Sequence, residues 1–273
     1  MTVCKKLSRE RKCLGKGGMS KVVQIGRDVY RLSPKIRETQ HGLLLNLFLQ
    51  STLKPFTQAI TTVKKYQICK NPCDKTETLV TSMEHAGMPI DKVQMDTETT
   101  RNVAAQLLVF LVALQKHAGG IHYDLHTGNV CIQPQKTRRY DYFAMGPKGA
   151  RLYIPNMGFL VKVIDFDLTH TLQAPALYNY PNYGINSSPG ALHTKRHYNQ
   201  VFFAHSFSES HSHMKSFMMD AMGATGYRVD RKLRPSNPVL NGTTPLAALK
   251  GKAFESYRGT PPKGSRIKYF DVI

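Results

Sequence analysis

The sequence predicts an α+β chain in two parts: a small antiparallel sheet with one helix, then a reduced, mainly helical region. Short β-prone runs flank a Gly-Arg-Asp turn near the start, and a Gly/Pro connector follows at residues 83–89. Beyond it lies a long segment with apolar side chains on most of its faces.

In chain order, residues 1–11 are basic and lack an apolar period, which predicts an N-terminal arm. Residues 22–25 (Val-Val-Gln-Ile) and 29–32 (Val-Tyr-Arg-Leu) read as a hairpin, because Gly26 and Asp28 tolerate the backbone angles of a tight turn. Over residues 37–53, Leu43, Leu44, Leu47 and Phe48 recur at helical spacing until Pro55 stops the pattern. A strand at 78–82 runs into Met83-Glu-His-Ala-Gly-Met-Pro89, the expected hinge between a 12–82 part and a 90–226 part. Residues 99–116 predict a buried helix ended by Gly119-Gly120. Lys136, Arg138, Arg139, Lys148 and Arg151 among Tyr, Gly and Pro predict an exposed basic insertion at 134–158, and residues 227–273 a basic C-terminal segment.

Composition bounds the chemistry. The chain has 273 residues and 41% hydrophobic content with 12 Phe and 13 Tyr, enough for a core and contrary to general disorder. Its longest apolar run, residues 103–114, is interrupted by Gln106 and falls short of the roughly 20 residues a bilayer span needs, so no membrane partner is expected. The N-terminus lacks an apolar leader, which predicts a cytoplasmic or nuclear setting. Five scattered cysteines, Cys4, Cys13, Cys69, Cys73 and Cys131, are therefore expected as reduced thiols, with Cys69 and Cys73 in an ordinary turn rather than a zinc site. His205, His211 and His213 read as solvated. The net charge of +20 favours an acidic partner: a nucleic acid, a nucleoprotein or an acidic protein substrate.

Chemistry concentrates in two segments. Directly after the buried helix comes Ile121-His-Tyr-Asp-Leu-His-Thr-Gly-Asn-Val130, and later Val161-Lys-Val-Ile-Asp-Phe-Asp167. The spacing from Asp124 to Asn129 lets one loop offer a carboxylate to a hydroxyl and an amide oxygen to a metal. Asp165, ending an apolar strand, adds a second hard oxygen ligand.

These segments resemble the catalytic and metal-binding loops of the protein kinase-like superfamily. Leu14-Gly-Lys-Gly-Gly-Met-Ser-Lys-Val22 is similar to its glycine-rich loop, and residues 78–88 to the strand and hinge between its lobes. His126 stands where ordinary serine/threonine kinases carry lysine. Loops similar to this one occur in haspin-like kinases, in kinase-like proteins of large DNA viruses, and in aminoglycoside and choline phosphotransferases; the compact N-terminal part, the basic insertion and the lack of an Ala-Pro-Glu segment look most like the viral and haspin-like forms.

The resemblance implies a bilobal kinase-like fold, ATP and Mg²⁺ as cofactors, and a protein substrate, in a host cell or virion if the form is viral. Asp124 would take the proton of the acceptor hydroxyl, Asn129 and Asp165 would hold Mg²⁺, and His126 would touch the γ-phosphate or orient the loop. Leu14, Gly15, Lys16, Gly17, Gly18, Ser20 and Val22 would cover the nucleotide, and backbone around Glu84 and His85 would bind adenine. Arg31 falls at the phosphate-anchoring position usually held by lysine, with Lys35, Lys16 and Lys21 as alternatives, and Glu38 as its expected helix partner. Asp167 replaces a glycine, and Asn199 aligns with the acidic position of the central helix.

Three functions remain open: a Ser/Thr protein kinase, a small-molecule (aminoglycoside- or choline-type) phosphotransferase, and a catalytically weak kinase-like basic scaffold.

Overall fold

A computed structural model describes residues 4–5, 20–25, 28–70, 76–135, 140–146, 150–173, 198–208, 211–224 and 243–272. The predicted α+β class is the observed one. Strands β1 (Lys21–Ile25) and β2 (Asp28–Pro34) form the expected hairpin, and helix α1 (Arg37–Leu53) follows. Strands β3 (Val63–Lys70) and β4 (Glu77–Met83) complete an antiparallel sheet of order β1-β2-β4-β3. No pattern in the sequence announces β3. It is an edge strand whose Lys65, Tyr66, Ile68 and Lys70 face water, so it lacks a clean apolar alternation.

The sheet buries Val23, Tyr30, Leu32, Cys69 and Val80 in a small core of its own. Cys69 also corrects the reduced-thiol expectation, for it is disulfide-bonded to Cys4 across a Cα–Cα distance of 5.5 Å. The fold, not the spacing of cysteines along the chain, brings these two together. Cys131 is a buried free thiol, and Cys13 and Cys73 lie outside the described residues.

Beyond the connector, β5 (Met88–Pro89) pairs with β7 (Val130–Pro134), which pairs with β10 (Phe159–Val163). Helix α2 (Thr97–His117) is capped by Asp96, whose carboxylate accepts the Thr99 N–H at 2.7 Å, and ends at Gly119, whose φ of 59° suits glycine. Each fully buried Leu or Phe along α2, among them Leu107, Leu108, Phe110, Leu111 and Leu114, contributes roughly 1.5–3 kcal/mol. The helix's buried polar groups are satisfied by the strands beside it: Asn102 donates to the Pro155 carbonyl, and Gln106 accepts the Val161 N–H. After α2, β6 (Gly120–Ile121) pairs with β11 (His170–Thr171).

Of the basic segment 134–158, Lys136, Arg138, Arg139 and Lys148 lie outside the described residues, and the described part is largely built into a sheet. It contains β8 (Tyr142–Met145) and β9 (Leu152–Pro155), which form a sheet with β12 (Ile267–Phe270), parallel to β8. Phe143, Ala144, Met145, Leu152 and Ile154 are buried there. Its Arg151 pairs with Asp271 at 3.0 Å and stacks its guanidinium over Tyr269. Helices α3 (Tyr198–His205), α4 (Ser212–Ala221) and α5 (Pro245–Leu249) pack near α2, and Leu249, Phe254, Tyr257, Phe270 and Val272 bury much of the described chain end. No helix among the described residues is long and apolar enough to cross a membrane.

The two parts meet directly. Val163 donates to the Ala59 carbonyl at 2.6 Å, and the Val163 carbonyl accepts the Thr61 hydroxyl at 2.9 Å. That seam lies two residues before Asp165.

Candidate functional site

The loop joining β6 to β7 is held from beneath. Asn199 in α3 is fully buried, and its amide oxygen accepts the N–H groups of His122 and Tyr123 at 3.2 and 3.3 Å. Tyr123 has φ 62°, a conformation a bulky residue adopts only when its surroundings impose it. His122 lies 3.1 Å through Nε2 from the Ile164 carbonyl, with its ring 5.1 Å from that of Phe166. Burial drops its pKa to about 4, so the imidazole is neutral at physiological pH.

Above this support, the Asn129 side-chain N–H groups reach the Asp124 carbonyl at 2.9 Å and its Oδ2 at 3.2 Å. The amide nitrogen is thereby committed, which leaves the amide oxygen as the group to offer a cation. Burial pushes the Asp124 carboxyl up, as does Asp165 nearby, while His126 and the Asn129 hydrogen bond pull it back less strongly. His126 accepts the Gly128 N–H at Nδ1, and its Nε2 stands 3.9 Å from Asp124 Oδ2, beyond hydrogen-bond reach. The Gly128 contact fixes the ring within the loop through Nδ1.

Asp165 has φ 61°, and its Oδ1 is buried without accepting a hydrogen bond. Arg31 Nη2 lies 3.6 Å away. The Asp165 oxygen, which accepts no hydrogen bond, and the Asn129 amide oxygen suit Mg²⁺, which takes few protein ligands and completes its shell with water and phosphate. No cluster of three or more His, Cys, Asp or Glu side chains is arranged to hold a metal among the described residues. Of the histidines read as solvated, His211 lies within hydrogen-bond distance of the Ser208 hydroxyl and His213 of the Thr97 hydroxyl, whereas His205 is partly buried and burial lowers its pKa.

Arg31 forks onto Asp167, with Nη1 2.9 Å from Oδ1 and Nη2 bonded to Oδ2, and its Nε donates to Ser20 Oγ at 3.0 Å. Burial raises the Asp167 pKa, against the opposing pull of Arg31. Sequence reasoning missed this pair, treating Asp167 only as a lost glycine. The Glu38 side chain, and Leu14, Gly15, Lys16, Gly17 and Gly18, lie outside the described residues. Ser20 turns its hydroxyl to Arg31 and to Ser33, and Val22 stands on β1 opposite Arg31 and is largely exposed.

At the connector, the Glu84 side chain turns inward. Its Oε1 is 2.8 Å from Lys162 Nζ and accepts Gln133 Nε2, and its Oε2 accepts the Thr62 N–H. Burial pushes this carboxyl up, but Lys162 and the hydrogen bonds together bring it below its usual value. The backbone expected to meet adenine is partly occupied. The Glu84 N–H donates to the Thr62 carbonyl, and the His85 carbonyl accepts Gln133 at 2.6 Å.

A cavity of about 670 Å³ lies elsewhere, walled by Val109, Val112, Leu152, Leu246 and Leu249, and shares no residue with this cluster.

No protein-family model and no curated protein matches the sequence. Among solved structures, the chain is similar to a kinase domain from Plasmodium, with 14% identity and a TM-score of 0.38 over 58% of this chain. The match covers 50% of that kinase chain.

Proposed function

We propose that this protein transfers a phosphoryl group from ATP to a hydroxyl of a protein substrate, with Ser or Thr as acceptor. The observation that carries the reading is Asp124 hydrogen-bonded to Asn129 on a loop supported by Asn199, with Asp165 near enough to raise the Asp124 pKa and Arg31 beside Asp165. Asp124 would orient the acceptor hydroxyl and accept its proton, and its raised pKa makes it a better base than an ordinary surface carboxylate. Asn129 and Asp165 would hold Mg²⁺, which when bound neutralises charge on the phosphates. Arg31 presents a fixed cation to the same region, and adenine would meet the connector through backbone around Glu84 and His85. The basic surface would dock an acidic protein or nucleoprotein partner, which selects where the transfer occurs.

The test is transfer from labelled ATP with Mg²⁺ to basic and acidic proteins and to an aminoglycoside, run beside Asp124→Ala. The expected outcome is label on protein, reduced about 10²–10⁴-fold in the variant. Label on the aminoglycoside alone replaces the acceptor class, and no transfer above Asp124→Ala to any acceptor overturns the reading.

A further inference from the structure

We infer that Asp167 is the positioning residue for Arg31, fixing the guanidinium where the nucleotide phosphates arrive. The inference rests on the phosphoryl-transfer reading above. A lysine ammonium is a compact charge that can be steered from any side, whereas a guanidinium is planar and is best fixed by two oxygens lying in its own plane. Asp167 supplies both, through Nη1 at 2.9 Å and through Nη2. The remaining edge is fixed by Ser20, whose Oγ accepts from Nε at 3.0 Å and lies 2.7 Å from Ser33 Oγ. Nη2 stands 3.6 Å from Asp165 Oδ1, too far for a hydrogen bond but close enough to place the cation beside the carboxylate assigned to Mg²⁺.

Helix α1 is shaped to admit this acid. A Cβ at Gly42 would lie 2.5 Å from Asp167 Oδ1. Glycine is a poor helix former, yet here, inside α1, only a hydrogen leaves room for the carboxylate. The helix contributes space at this point, and the loop after β10 contributes the charge. Arg31 and Asp167 thus tie the sheet to the metal-binding loop, with side chains only 18% and 12% exposed.

The test uses the full chain, a fluorescent ATP analogue with Mg²⁺ to measure Kd, and labelled-ATP transfer to separate KM from kcat. Asp167→Asn and Arg31→Ala are each expected to weaken analogue binding and raise KM for ATP about tenfold, and the double variant to be no worse than Arg31→Ala. Gly42→Ala keeps both charges and favours the helix. It should reproduce the Asp167→Asn effect while its urea midpoint shows the chain folded. The inference is overturned if Asp167→Asn and Gly42→Ala bind like the parent, or if the single effects multiply in the double variant. A parent chain that binds the analogue but transfers nothing refutes the transfer reading while leaving the Arg31–Asp167 result to be judged on binding. A parent that binds no analogue overturns both.

Discussion

His122 has no route to water, and that settles its charge. An unfolded chain would carry this imidazole near its ordinary pKa of 6.5, whereas the folded value is about 4, and the same holds for His170. Between those values the unfolded chain binds protons that the folded one refuses. The stability from burying neutral rings is therefore complete above about pH 6.5 and lost as pH falls toward 4. Each ring should contribute a slope of up to roughly 1.4 kcal/mol per pH unit in that window. Urea unfolding at pH 7.5 and pH 5 should show the drop, and His170→Asn should flatten it by about one proton; a pH-independent midpoint would contradict the buried neutral state. At this scale the sequence was partly legible. Asp124, Asn129 and Asp165 declare themselves because their partners lie within a few residues or at a strand end. The Arg31–Asp167 pair does not, because its members are 136 residues apart and only the fold brings them together.

At the scale of elements, the connector after β4 is braced by a buried ion pair. Lys162, on β10, is 5% exposed and ends against Glu84, with a longer contact to the Ile60 carbonyl at 3.5 Å. Removing one member of such a pair leaves its partner charged and poorly solvated. Lys162→Met should cost about 3 kcal/mol, and Lys162→Met with Glu84→Gln should recover most of it. Urea denaturation of the four chains in the cycle measures this; strictly additive losses would mean the pair is not coupled. Helices α1 and α2 were readable because their apolar pattern survives in the sequence, and the first hairpin because its turn residues do. Lys162 was not, since one lysine in an apolar strand looks the same whether it snorkels to solvent or meets a buried acid.

For the molecule as a whole, the chain end belongs to the core rather than to a detachable tail. Strand β12 completes a sheet with β8, and Phe270 and Val272 are buried beneath it. A chain lacking residues 259–273 would lose those side chains, roughly 3–6 kcal/mol, and bare the edge of β8. That approaches the whole stability of many domains. The truncated chain should show a lower urea midpoint by circular dichroism and associate on size exclusion, whereas an unchanged midpoint would return the segment to a purely docking role. Basic composition hid this, because Arg266 and Lys268 alternate with the apolar residues that make the strand. At the other end of the chain, the Cys4–Cys69 bond closes a covalent ring around the glycine-rich segment, α1 and most of β3. A protease that cuts anywhere inside that ring opens the backbone without releasing a piece. The nicked protein keeps its full mass until a reductant separates the fragments.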